Sequence, residues 1–194
     1  NILVTGSSGF LGTHLCRHLE KDGHDLTQLN SKNCDLRVAT NLDAYSNETY
    51  DLIYHLAGWT QAGDFCLTHQ GEQWIINQQI NTNTLNWWHE HQPQAKLIAI
   101  GSSCCYPEGY PLTEEHFYKD TPTESLLTYG FTKRMLYVGI DALRAQFDHR
   151  YLFLIPSTLY GPDYHLDDRQ LHFIFDLVRK IVEAHRGGPP PQLW

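Results

Sequence analysis

The sequence predicts an α/β protein built on a doubly wound parallel sheet, and three features predict it. Short, nearly continuous apolar runs recur at 2–5, 25–29, 52–57, 97–100 and 151–155. A strand buried on both faces reads this way, because neither face is left for water. Between the runs lie stretches with helical spacing, such as Phe10, Leu11, His14, Leu15 and Leu19, and the long segment 126–147. Strands alternating with helices require crossovers, and therefore a parallel sheet. The third feature is a glycine-rich turn directly after the first run.

That turn reads Val4-Thr5-Gly6-Ser7-Ser8-Gly9-Phe10-Leu11-Gly12, three glycines at GxxGxxG spacing between a strand and a helix. Gly6 permits the tight turn, Gly9 lets backbone approach a pyrophosphate, and Gly12 lets helix and strand pack closely. The backbone of Ser8, Phe10 and Leu11 completes the turn, where N–H groups and the helix dipole face the anion. The fold expected is a Rossmann domain with its crevice beyond the carboxyl ends of the strands.

The second run decides which dinucleotide fits. NAD sites usually carry an acidic residue at the end of this strand, but here it ends Leu29-Asn30-Ser31-Lys32. With Asn30 and Ser31 at the ribose and Lys32 as the nearby cation, NADP is expected, NAD being possible; Lys32 as a plain solvated loop residue is the alternative. In Cys34-Asp35-Leu36, Asp35 either accepts from the adenine amine or caps a helix beginning near Val38. The third run closes with His55-Leu56-Ala57-Gly58, and Leu56, Ala57 and Gly58 are small enough to pass beneath a cofactor.

Tyr129-Gly130-Phe131-Thr132-Lys133 sets a phenol and an ammonium on one helix face, roughly 6 Å apart. A phenol is a poor base at neutral pH, and a neighbouring cation is expected to lower its pKa. Lys133 is also suited to hold a nicotinamide ribose. Upstream, Gly101-Ser102-Ser103 ends the fourth run, where the Ser102 hydroxyl can donate to a substrate carbonyl beside Tyr129.

Size and composition fit an ordinary globular protein: 194 residues, 41% hydrophobic and 19% charged. Fourteen basic against twenty-two acidic residues give a net charge of -8, without a Lys/Arg cluster for a nucleic-acid partner. No apolar stretch approaches a membrane span and no signal layout opens the chain, so a cytosolic protein is expected. Five cysteines (Cys16, Cys34, Cys66, Cys104, Cys105) show no metal spacing, which suits a reducing compartment, and three are expected as buried fillers. The pattern changes after Pro156, itself a candidate cofactor contact: Tyr160-Gly161-Pro162 is a turn and 171–184 reads as an amphipathic helix. Two regions are expected, a dinucleotide domain over 1–156 and the beginning of a smaller, apparently truncated, substrate lobe over 157–194.

Together TGSSGFLG, HLAG, GSSCCYP, YGFTK and PSTLYGP resemble the extended short-chain dehydrogenase/reductases, the nucleotide-sugar epimerase/dehydratase superfamily. The run Ser102-Ser103-Cys104-Cys105-Tyr106-Pro107 most resembles the branch that 3,5-epimerises and then 4-reduces a GDP-4-keto-6-deoxy sugar with NADPH. The resemblance implies Ser102, Tyr129 and Lys133 as the reducing set, and Cys104 with His172 as the acid/base pair of epimerisation. Thiol and imidazole both exchange protons near neutral pH, and protons flanking a C4 ketone are acidic enough to be removed. Dehydratases usually carry an acidic pair where this chain has Ser103-Cys104, which argues against dehydration. Thr158 departs from the asparagine usual before LYGP, and the proline that often precedes the tyrosine is missing. The resemblance also implies a nucleotide-sugar substrate and a homodimer paired through 77–88 and 126–147. Two other readings stand beside it: an NAD-dependent nucleotide-sugar C4 epimerase, and a non-catalytic dinucleotide sensor.

Overall fold

A computed structural model of the chain describes residues 1–61, 64–164 and 171–192. Five strands, β1 (Ile2–Thr5), β2 (Leu26–Leu29), β3 (Leu52–His55), β4 (Lys96–Ile100) and β5 (Tyr151–Leu154), pair in parallel in the order β2-β1-β3-β4-β5. The helices are α1 (Phe10–Lys21), a single turn α2 (Phe65–Thr68), α3 (Gln70–His91), α4 (Leu127–Phe147) and α5 (Phe173–His185). All five apolar runs are strands, and the sheet is the parallel α/β layer that their alternation with helices predicts. The strand order reverses between β1 and β3, the switch point where ligands bind in such sheets.

The two sheet faces are buried by different residues of the same strand. Leu3, Ile53, Leu97 and Ala99 pack with Trp88, Leu136 and Ile140 under α3 and α4. Ile2 and Val4 pack with Cys16 and Leu19 under α1. Period-2 alternation therefore supplies both cores, and β1 reads as a continuous apolar run because both faces are covered. β5 departs from that expectation. Tyr151 and Phe153 join the α3/α4 core, but Leu152 and Leu154 stay 41% and 42% exposed. They sit on the opposite face, at the edge of the described sheet.

Two expectations shift in detail. The segment after Asp35 forms a 3-10 helix, Ala39–Tyr45, whose cap Val38 makes no side-chain hydrogen bond, so Asp35 does not cap it. The amphipathic segment near the end is α5, with Phe173, Val178, Ile181 and Val182 exposed among the described residues. Turn 160–163 is docked on α1: the His14 ring meets the Pro162 carbonyl at 2.9 Å, and Arg17 pairs with Asp163.

A buried polar chain ties the ends of β1 and β3 to α3. Thr5 Oγ1 accepts the backbone N–H groups of Leu56 and Ala57, each at 3.2 Å, so its own proton goes to His55 Nδ1 at 3.0 Å. That fixes the tautomer: Nε2–H donates to Asn81 Oδ1 at 3.1 Å. His55 is fully enclosed, and burial holds its pKa down at about 4 from an ordinary 6.5. The unfolded chain therefore takes up a proton between pH 6.5 and 4 that the folded chain refuses. Stability is present in full above pH 6.5 and falls as pH drops through this window, by roughly 3 kcal/mol at most for a shift of this size. Urea titrations from pH 7 to 4 are expected to show that slope in the wild type and a flatter one in His55→Gln; equal slopes would assign acid sensitivity elsewhere.

Candidate active site

The glycine turn takes the shape its spacing requires. Gly6 has φ +68°, and a Cβ there would lie 2.8 Å from Ala57 N, so both its conformation and its contact with the 56–57 backbone exclude a side chain. A Cβ on Gly12 would fall 2.2 Å from Gly6 O, which is the close helix-to-turn packing that this glycine allows. Gly9 N donates to Gly6 O at 3.0 Å, and α1 starts after Gly9 without a side-chain cap. Its first N–H groups are thus left to an incoming anion.

Above the turn opens a cavity of about 440 Å³. Gly6, Ser8, Gly9, Asn30, Ser31, Asp35, Leu36, Leu56, Ala57 and Gly58 line it, as do Trp59 and Arg37. Of the other residues expected at the cofactor, Gly12 packs beneath the turn, Phe10 and Leu11 begin α1, Lys32 lies outside the lining, and Pro156 follows β5. Arg37 is the cation at this end. Its Nε and Nη2 hold the Asp35 carboxylate at 2.6 to 3.0 Å, which keeps that carboxyl below its usual pKa. Sequence reasoning passed over Arg37 because Lys32 is nearer the strand end; the arginine two residues beyond Asp35 was the available signal.

Asn77 of α3 was also missed as a site residue. Its side-chain carbonyl accepts Trp59 N–H at 2.8 Å and its amide donates to Trp59 O at 2.9 Å, pinning the segment after Gly58. A Cβ on Gly58 would lie 3.8 Å from Lys133 Nζ, so the cavity floor runs directly into the second half of the site.

There the structure brings together Ser102, Cys104, Tyr129 and Lys133. Ser102 follows β4 and opens the 3-10 turn Ser103–Cys105, its Oγ accepting Cys104 N–H at 3.2 Å. The same hydroxyl is an electrostatic neighbour of the Cys104 thiol and the Tyr129 phenol, and it lowers the pKa of both. Tyr129 and Lys133 share a face of α4, with Nζ 5.9 Å from the ring centroid and donating to Ile100 O at 2.9 Å. Cys104 is half-buried while the other four cysteines are buried and free. One of these, Cys66 of α2, is an electrostatic neighbour of both Cys104 and Tyr129, and its sulfur accepts from Gln73 Nε2 at 3.5 Å. His172 stands elsewhere, at the start of α5 beside Tyr164, which stacks on Phe175 and meets Phe10.

The electrostatics correct one expectation. Tyr129 is not eased toward phenolate; burial, then the neighbouring thiols, push its pKa up, and the Ser102 hydrogen bond only partly opposes them. Desolvation outweighs the expected help from Lys133, and it acts on Lys133 as well, lowering the ammonium to about 8. Burial likewise raises Cys104. Each group is thus driven toward its uncharged form. The Lys133 13Cε resonance is accordingly expected to titrate near pH 8 in the protein without cofactor; a midpoint near 10.5 contradicts the desolvated setting.

The sheet, the glycine turn and the polar set beyond β4 define a dinucleotide-site α/β class of protein. Residues 2–194 match the model of the NAD dependent epimerase/dehydratase family, and the chain belongs to that family. It is 27% identical to a GDP-L-fucose synthase of Dictyostelium discoideum over 96% of this chain and 60% of that protein. It is 26% identical to a GDP-L-colitose synthase of Yersinia pseudotuberculosis, over 100% of this chain and 64% of that one. Among solved structures, a GDP-L-fucose synthetase from Naegleria fowleri bound to NADP superposes with a TM-score of 0.80 at 26% identity, over 99% of this chain and 64% of that chain. The chain spans about three fifths of the length of these relatives. Among the described residues no helix is long and apolar enough to cross a membrane.

Proposed function

We propose that this protein is an NADP(H)-dependent nucleotide-sugar epimerase/reductase that acts on a 4-keto-6-deoxy sugar nucleotide; its similarity to GDP-L-fucose synthases supports the nucleotide-sugar part of that reading. The observation that carries this reading is the meeting of Ser102, Cys104, Tyr129 and Lys133 at the end of the glycine-lined cavity. A C4 reductase needs only the hydroxyl, the phenol and the ammonium. The half-buried thiol next to them is what epimerisation at C3 and C5 adds.

The residues fit the cofactor: an uncapped helix start and a turn too tight for side chains suit a pyrophosphate, and Arg37 offers its guanidinium at the adenosine end. Bound there, NADPH supplies hydride to the sugar C4. Lys133 would hold the nicotinamide ribose, and Tyr129 would give its phenolic proton to the C4 oxygen as hydride arrives, with Ser102 orienting that oxygen by donating a hydrogen bond. Because burial keeps Cys104 protonated at neutral pH, the thiol is suited to return a proton to carbon. The resemblance assigns the opposite base to His172, which in this structure stands apart from the set at the start of α5, so that role rests on the resemblance and not on the geometry. Residues 157–194 begin the substrate lobe on this reading, and the exposed Trp74, Met135 and Val138 of α3 and α4 form the homodimer face.

Two experiments test it. Cys104→Ser is expected to abolish solvent deuterium uptake at C3 and C5 while NADPH oxidation with an already epimerised 4-keto sugar persists. Unchanged exchange sinks the epimerase assignment. For the cofactor, Arg37→Ala is expected to weaken NADPH relative to NADH by roughly ten- to a hundredfold, the worth of about 1.5–3 kcal/mol for a charged hydrogen bond. Lys32→Ala should change that ratio by less than about twofold, and the reverse ranking returns the role to Lys32.

A further inference from the structure

Between the catalytic turn and α4 the chain makes a long excursion, residues 106–121, whose only described helical structure is the 3-10 turn Glu114–His116. So little local structure does not by itself hold a loop in one place. Something else must set the position of the turn that carries Ser102 and Cys104.

That element is Arg134. It follows Lys133 on α4 and is only 6% exposed. Nε donates to Cys105 O at 2.7 Å and Nη1 donates to Asp120 O, so one guanidinium joins the two ends of the excursion. Its Cζ lies 5.9 Å from the Phe117 ring centroid and 5.7 Å from that of Phe131, the first inside the excursion and the second on α4. Nη2 is buried without a partner among the described residues. Both hydrogen-bond acceptors are neutral carbonyls and, among the described residues, no carboxylate lies at ion-pair distance, although Asp120 offsets the buried charge in part through space. An apolar side chain would be cheaper to bury here, and a packing role alone does not account for a cation.

What the guanidinium adds is direction. Its planar fork sends two donors along fixed, diverging lines, whereas a lysine ammonium is a single flexible point. The turn it holds is already pressed on α4, since a Cβ on Gly130 would fall 2.5 Å from Cys104 O, and Cys105 Sγ contacts Gly130 O at 3.6 Å. We infer that Arg134 is a positioning residue: it clamps both ends of the 105–120 segment so that the Ser102 hydroxyl and Cys104 thiol keep their reach to Tyr129. The inference rests on the proposed function for its kinetic consequence, but not for its structural one.

The test compares R134K and R134M in the whole protein by melting temperature, NADPH affinity, turnover and the rate of Cys104 alkylation by iodoacetamide, read by peptide mass spectrometry. R134K keeps the charge and loses the fork; R134M keeps the length and loses both bonds. The expected result for both is NADPH affinity within about twofold of wild type, turnover down roughly tenfold or more, and Cys104 alkylation up by about fivefold. Unchanged turnover and alkylation in R134K overturn the inference. So does a parallel fall in melting temperature, NADPH affinity and activity, which marks Arg134 as a general stabiliser. If the wild type turns over no 4-keto sugar nucleotide, the proposed function fails, while NADPH affinity and Cys104 alkylation still decide whether Arg134 holds the turn.

Discussion

Thr5 Oγ1 is the point on which the rest of the site depends. It accepts from two consecutive backbone N–H groups, Leu56 and Ala57, and donates to His55, which in turn donates to Asn81. These bonds draw the chain leaving β3 against the chain leaving β1, and at that spacing only a glycine fits at position 6. The cavity floor is therefore a consequence of strand-end hydrogen bonding. Because the Thr5, His55 and Asn81 side chains are buried, their polar atoms in these bonds have no water to turn to instead, which makes the arrangement specific.

Further along the crevice, burial governs the chemistry. Tyr129 and Cys104 are pushed up and Lys133 down, all by desolvation first. At neutral pH the phenol and the thiol are thus uncharged, while Lys133, with a pKa of about 8, remains mostly an ammonium that burial makes easier to deprotonate. Proton donors held neutral by a dry setting suit a carbonyl whose oxygen gains charge during reduction, since each can give up a proton or a hydrogen bond at the moment charge develops.

The helices serve this site from behind. α3 contributes Asn81 to the Thr5 chain and Asn77 to the segment after Gly58. α4 contributes Tyr129 and Lys133 to the polar set and Arg134 to the turn that carries Ser102 and Cys104, so adjacent positions of one helix hold both. The two helices pack on each other over the large apolar core around Trp88, Leu136 and Ile140, and that rigidity passes to the polar residues they carry.

Much of this was legible from the chain alone. Local patterns determined the five strands, the helices between them and the glycine turn, because apolar period and glycine spacing are properties of short segments. The same holds for Ser102, Cys104, Tyr129 and Lys133, which sit in short motifs at strand ends and on one helix face. What only the tertiary structure decided is which cation lines the cavity, which thiol lies beside Cys104, and which way the pKa values move. Arg37 rather than Lys32 lines the cavity, because the chain turns back at 30–34, a matter of the loop's path. Cys66 nears Cys104 and Tyr129 through α2, far away in sequence. Spacing on a helix could suggest that Lys133 would ease Tyr129 toward phenolate; burial depends on every element packed around the pair, and it reversed the sign.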